Sequence, residues 1–144
     1  MKLQIASMIY LLMLSVSDVK KKELPLWLVV TGMILSVLWM GSALFRGERT
    51  LNDVFFGAVP GLILLMLAAS VGCNGWGDGI VLLQWNFLLG TEMTVMSFGI
   101  SLIFSGCAAL FLLCSGKKKG NQTIPYIPFL LLGSIGAYAL KYYF

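Results

Sequence analysis

The 144-residue chain carries six carboxylates: Asp18, Glu23, Glu48, Asp53, Asp78 and Glu92. Four of them fit ordinary loops or helix ends. Asp18 and Asp78 differ, because each abuts an apolar run at the point where the chain meets a bilayer boundary. Two carboxylates at matching depth in a poorly solvated place can hydrolyse a peptide bond. Like charges held close together cannot both ionise cheaply, so such a pair shares one proton. The ionised partner activates a water while the protonated one polarises the scissile carbonyl. Asp78 lies in Gly75-Trp76-Gly77-Asp78-Gly79, where the glycines let a substrate backbone approach closely. It also precedes an apolar helix, whose N-terminal dipole favours an anion. The competing reading is that both aspartates only cap helices near the headgroups. Asp78 is a good N-cap type, and Asp18 has Lys22 four residues on.

Other chemistries find little support in the residue inventory. There is no histidine, which removes the usual general base and the commonest metal ligand. Cys73, Cys107 and Cys114 form no Cys-x-x-Cys pair, so they read as small packing residues and not as a zinc or redox motif. The net charge of +4 resides largely in two lysine triplets beside apolar runs. That placement suits membrane anchoring, with some attraction to anionic lipid, and not a nucleic-acid patch.

The elements that must position the two aspartates follow from hydropathy. Hydrophobic residues make up 59% of the chain and charged residues 11%, against about a quarter charged in a soluble domain. The apolar residues fall in unbroken runs, and lipid forces such runs into helices. The alternation of a membrane β-barrel is absent from the sequence. The runs cover 3–19, 24–45, 54–71, 80–90, 93–115 and 124–144. The first reads as a span and not as a secretory signal, since its basic start is Lys2 alone. Pro25 opens the second run and suits a first helical turn. The glycines of 72–79 predict a loop there. Arg46-Gly47-Glu48-Arg49 reads as a solvated loop with no assigned role.

The fourth run is short, and charge decides whether it crosses. If it crosses, Lys20–Lys22 and Lys117–Lys119 face the same side, which the positive-inside rule places in the cytoplasm. The expectation is therefore one all-α polytopic membrane domain over 1–144, with about six transmembrane helices and both termini outside. Asp18 ends the first span and Asp78 starts the fourth, with two crossings between them. Both carboxylates then emerge on one face, the cytoplasmic one in this topology.

These residues resemble a known family. Gly75-Trp76-Gly77-Asp78 matches the Gly-x-Gly-Asp motif of intramembrane aspartyl proteases. Asp18, a short basic stretch and then Leu24-Pro25 resemble the first-aspartate motif of type IV prepilin peptidases. The closing Ile124-Pro125-Tyr126-Ile127-Pro128-Phe129, followed by Leu131-Leu132-Gly133, resembles that family's last span. Two positions depart from its pattern: Leu26 stands where an asparagine follows the proline, and Ile80 stands where a lysine is frequent.

The resemblance implies an aspartyl endopeptidase in the inner (cytoplasmic) membrane. Its partners would be the lipid bilayer and a prepilin or pilin-like substrate, whose leader it cleaves at the cytoplasmic face. Asp18 and Asp78 would be the catalytic pair, Gly75 and Gly77 would shape the loop that brings Asp78 into place, and Pro25 belongs to the first-aspartate motif. No metal or organic cofactor is implied. Long family members insert a Cys-x-x-Cys domain and also N-methylate the product. Asp18 and Pro25 are seven residues apart, which leaves no room for that domain and implies cleavage without methyl transfer. Two rival readings remain at this level. One is a Gly-x-Gly-Asp protease with other transmembrane substrates, although Asp18 follows Ser17 at a span end and not a mid-span tyrosine. The other is a non-catalytic transporter subunit or assembly scaffold.

Overall fold

The computed structural model describes residues 2–21, 25–71, 76–115 and 126–143. They form six helices: α1 (Lys2–Lys21), α2 (Leu26–Phe45), α3 (Leu51–Val71), α4 (Trp76–Leu89), α5 (Thr91–Cys114) and α6 (Ile127–Tyr143). No strand occurs among the described residues. The all-α polytopic class expected from the runs is the one observed. By length and apolarity, α2, α3 and α5 each suffice to cross a membrane.

The surface explains why this chain needs lipid. Leu26, Phe45, Phe55, Phe56, Met66 and Phe111 are exposed on the outside of the bundle. Ser36, Gln84, Asn86, Thr94, Ser97, Ser101 and Ser134 are buried within it. Water would penalise such an exterior, whereas hydrocarbon favours it. Inside hydrocarbon, polar side chains turn to the bundle interior, where partners exist. The core itself gathers Leu11, Leu14, Leu28, Val81, Leu82, Trp85, Ile127 and Leu130 from four helices.

Successive helices alternate in direction, and α4 is the central one, packed on α1, α2, α3 and α5. Small residues set the closest crossings. Gly57 faces the Asn86 side chain, and one turn on Gly61 meets Leu83 and the Gly79 carbonyl. A Cβ on Gly79 would in turn stand 2.7 Å from Leu65 Cγ and 3.1 Å from the Gly61 carbonyl. The α3 and α4 backbones therefore touch, as small-x-x-x-small pairs allow. Gly133 of α6 likewise rests on the α5 backbone at Ser97 and Ser101.

Two expectations change here. Helix α4 starts at Trp76 and not at 80, so Gly77, Asp78 and Gly79 occupy its first turn. Each helical glycine costs ~1 kcal/mol relative to alanine, and the close α3 crossing at Gly79 offsets that cost. Arg49 is not a solvated loop residue. Its guanidinium donates to the carbonyls of Asn86 (3.1 Å), Phe87 (2.9 Å) and Leu88 (3.0 Å). Partial burial lowers the Arg49 pKa from its usual range, while Glu48 and Asp53 act in the other direction. A cation suits these carbonyls because a helix C-terminus is electronegative. The 14 residues of α4 extend only ~21 Å at ~1.5 Å each, against a ~30 Å hydrocarbon core. Arg49 caps the short end. Gly90, at φ +94°, then reverses the chain into α5 in a single residue, a backbone conformation that glycine adopts freely.

Candidate active site

Asp18 sits in the last turn of α1 and is buried, with 8% of its surface exposed. Its Oδ2 is fully enclosed without a hydrogen-bond partner. The backbone amide of Ile127, the first of α6, lies within reach of the same carboxylate. That amide has no partner within its own helix, as is general for the first turn. Asp78 is the third residue of α4, partly buried. It lies within electrostatic reach of Asp18. Helices α1 and α4 run antiparallel, so the end of one meets the start of the other, and the two carboxylates share one end of the bundle.

The third wall is the start of α6. Tyr126 stands just before Ile127 and is within electrostatic reach of Asp78. Its hydroxyl lies 2.6 Å from Ser101 Oγ on α5. Ser101 spends its one proton on the Phe98 carbonyl at 2.7 Å, so the tyrosine is the donor to the serine. The phenol oxygen keeps its lone pairs for another donor. Asp18, Asp78, Ser101, Tyr126 and the Ile127 amide therefore converge from α1, α4, α5 and α6.

The other residues singled out in the sequence fall around this pair. Gly77 is the second residue of α4 and belongs to the helix, not to a loop. Gly75 lies outside the described residues. Pro25 caps α2 at φ −65°, and its carbonyl accepts the amides of Leu28 (3.0 Å) and Val29 (3.2 Å). It shapes the helix beside the site, and its own contacts are with α2. Among the described residues, no group of three His, Cys, Asp or Glu side chains is placed to hold a metal. A groove of about 440 Å³ between α1 and α6, walled by Ile5, Met8, Ile9, Leu12, Leu131 and Ile135, is almost wholly apolar. Tyr138 also lines it, and no carboxylate, amine or guanidinium does.

Sequence reading missed Tyr126, Ser101 and Gln84. Tyr126 was visible only as a variable position of the closing motif, and Ser101 only as a small polar residue in an apolar run. Gln84 carried the plainer signal: an amide inside an apolar stretch must face a partner.

Comparison with known proteins returns no match among curated proteins and none among solved structures. A family model, however, matches residues 5–114. That segment contains both aspartates and ends with α5. This chain is thus a member of the type IV leader peptidase family.

Proposed function

We propose that this chain is an aspartyl endopeptidase that removes the leader from prepilin or pilin-like proteins at the cytoplasmic face of the inner membrane. The observation that carries the reading is the meeting of Asp18, with its enclosed and unpartnered Oδ2, and Asp78 across the α1–α4 crossing. The family supports a leader peptidase, and the pair supplies the chemistry.

With one proton between them, one carboxylate is ionised and the other is not. The ionised group takes a proton from water as the oxygen attacks the scissile carbonyl carbon. The protonated group gives its proton to the carbonyl oxygen. The resulting gem-diol collapses as the C–N bond breaks: the leaving nitrogen takes the proton that the first carboxyl received from water, and a gem-diol hydroxyl gives its proton to the second carboxylate. The pair returns to its starting state. No metal or organic cofactor enters these steps. The two lysine triplets favour the cytoplasmic orientation by the positive-inside rule. Six crossings follow from the alternating helices on this reading.

The test is co-expression with a candidate prepilin in membranes, comparing wild type with Asp18→Asn and Asp78→Asn. Each substitution keeps the shape and removes the shared proton and charge. Leader removal should fall by at least ~100-fold in either variant, the scale of lost general acid–base catalysis. The mature N-terminus should carry no added methyl group by mass. Trimming that persists in a well-inserted variant would overturn the aspartyl mechanism.

A further inference from the structure

Below the aspartates, the helices that carry them are tied by a buried polar lock. Tyr10 precedes Asp18 by eight residues on α1, and Gln84 follows Asp78 by six on α4. At ~1.5 Å per residue they lie roughly 12 and 9 Å deeper than the carboxylates. The Tyr10 hydroxyl is 2.7 Å from Gln84 Oε1, with the Leu28 carbonyl at 3.2 Å. Gln84 Nε2 donates to the Val29 carbonyl at 2.6 Å. Three helices, α1, α2 and α4, thus meet at one amide, which is only 1% exposed.

The space on the α2 side of the Tyr10 ring is tight. Gly32 of α2 lies against the Tyr10 ring, and a Cβ there would collide with the hydroxyl. The shared core beside it is Leu11, Leu14, Val81, Leu82 and Trp85. Apolar contacts of that kind tolerate small slides of one helix along another. Hydrogen bonds do not, since they fail within a few tenths of an ångström and beyond a narrow angle. An amide buried where leucine would pack equally well therefore selects one register.

We infer that Tyr10 and Gln84 are positioning residues that fix the register of α1 against α4, and so the separation of Asp18 from Asp78. This inference rests on the aspartyl reading above. Neither residue is assigned contact with the substrate.

The experiment uses the full chain in membranes with a candidate prepilin and compares wild type, Gln84→Leu, Tyr10→Phe and the double variant. Gln84→Leu should insert at normal levels with KM unchanged and kcat lowered by about tenfold to a hundredfold, the scale of a small misplacement. Tyr10→Phe should act in the same direction. The double variant should be little worse than Gln84→Leu, because the two residues form one interaction. A second arm reads geometry without activity. Asp18→Cys and Asp78→Cys are joined by a short thiol cross-linker in a chain whose Cys73, Cys107 and Cys114 are replaced by serine. The cross-linking yield should fall several-fold when Gln84→Leu is added. An unchanged kcat in well-inserted Gln84→Leu, or an unchanged yield, would overturn the lock. Should Gln84→Leu fail to accumulate, Tyr10→Phe, which keeps the ring, decides both arms. A wild-type chain that cleaves no prepilin would count against the peptidase reading alone, since the cross-linking arm still tests the lock.

Discussion

Replacing Gly79 by alanine probes how tightly the fold holds Asp78. The added Cβ would stand 2.7 Å and 2.9 Å from Leu65 Cγ and Cδ2 and 3.1 Å from the Gly61 carbonyl oxygen. Carbon atoms in comfortable contact are ~3.5–4.0 Å apart, so the shortfall against Leu65 is about 1 Å. Leu65 can turn part of the way, but the Gly61 carbonyl is backbone and cannot. The start of α4 must therefore move off α3. Overpacking of this kind costs ~1–3 kcal/mol, while alanine returns up to ~1 kcal/mol of helix propensity. The net loss of stability is modest, about 0–2 kcal/mol on those figures, and the variant should still insert. Activity should suffer more, because Asp78 is the neighbouring residue and a shift near 1 Å can cost ~100-fold in rate. The assay is leader cleavage in membranes at matched enzyme levels, with a melting curve of the detergent-solubilised protein. Expected is a rate at least about tenfold lower with a small fall in Tm. Adding Leu65→Ala should recover part of the rate, since the carbonyl clash remains. Wild-type cleavage by Gly79→Ala would show that the α3–α4 contact does not position Asp78, and the argument would fail.

Three further outcomes test other parts of the structure. Arg49→Ala strips three carbonyls of their cationic donor and should cost about 1.5–3 kcal/mol, read as a lower Tm; Arg49→Lys, a single point charge, should restore only part of it. Ser101→Ala and Tyr126→Phe should each cost ~0.5–1.5 kcal/mol, and the double variant no more than the worse single one, because they share a bond. Additive losses would show that the hydroxyl contact contributes nothing. Lys141 and Glu92 pair at 2.7 Å but are about half exposed, so Lys141→Met should change stability by less than ~1 kcal/mol. A larger loss would mean that this pair is shielded from solvent.

Much of the class was legible because lipid imposes a simple rule. A run of apolar residues must close its own backbone hydrogen bonds, so each long run reads as a helix. The same rule placed Asp18 and Asp78 at one end of the bundle by counting crossings, and the structure brings the two together. Boundaries were less legible. Four glycines over 72–79 argue for a loop, yet α4 begins at Trp76, because Gly79 gains more from touching α3 than it loses in helix propensity. The chain's membership of a peptidase family removes the support for a non-catalytic scaffold, which composition alone had left open.

Arg49, Gln84 and Tyr126 show where sequence reading stops. Each is a polar residue whose role depends on which helix it faces. Hydropathy cannot supply that, because in lipid every outward face is as apolar as the next. Pairing is decided instead by shape: by Gly61 against Gly79, by Gly133 against Ser97, and by the Tyr10–Gln84 bond. These pairs are far apart in sequence and leave no periodic trace in it. The sequence by itself therefore determined the helices, their alternation and the two carboxylates at one end of the bundle. Only the tertiary structure decided that α1 docks on α6 and α4, that Ile127 and Tyr126 border the aspartates, and that an arginine from a loop completes the shortest helix.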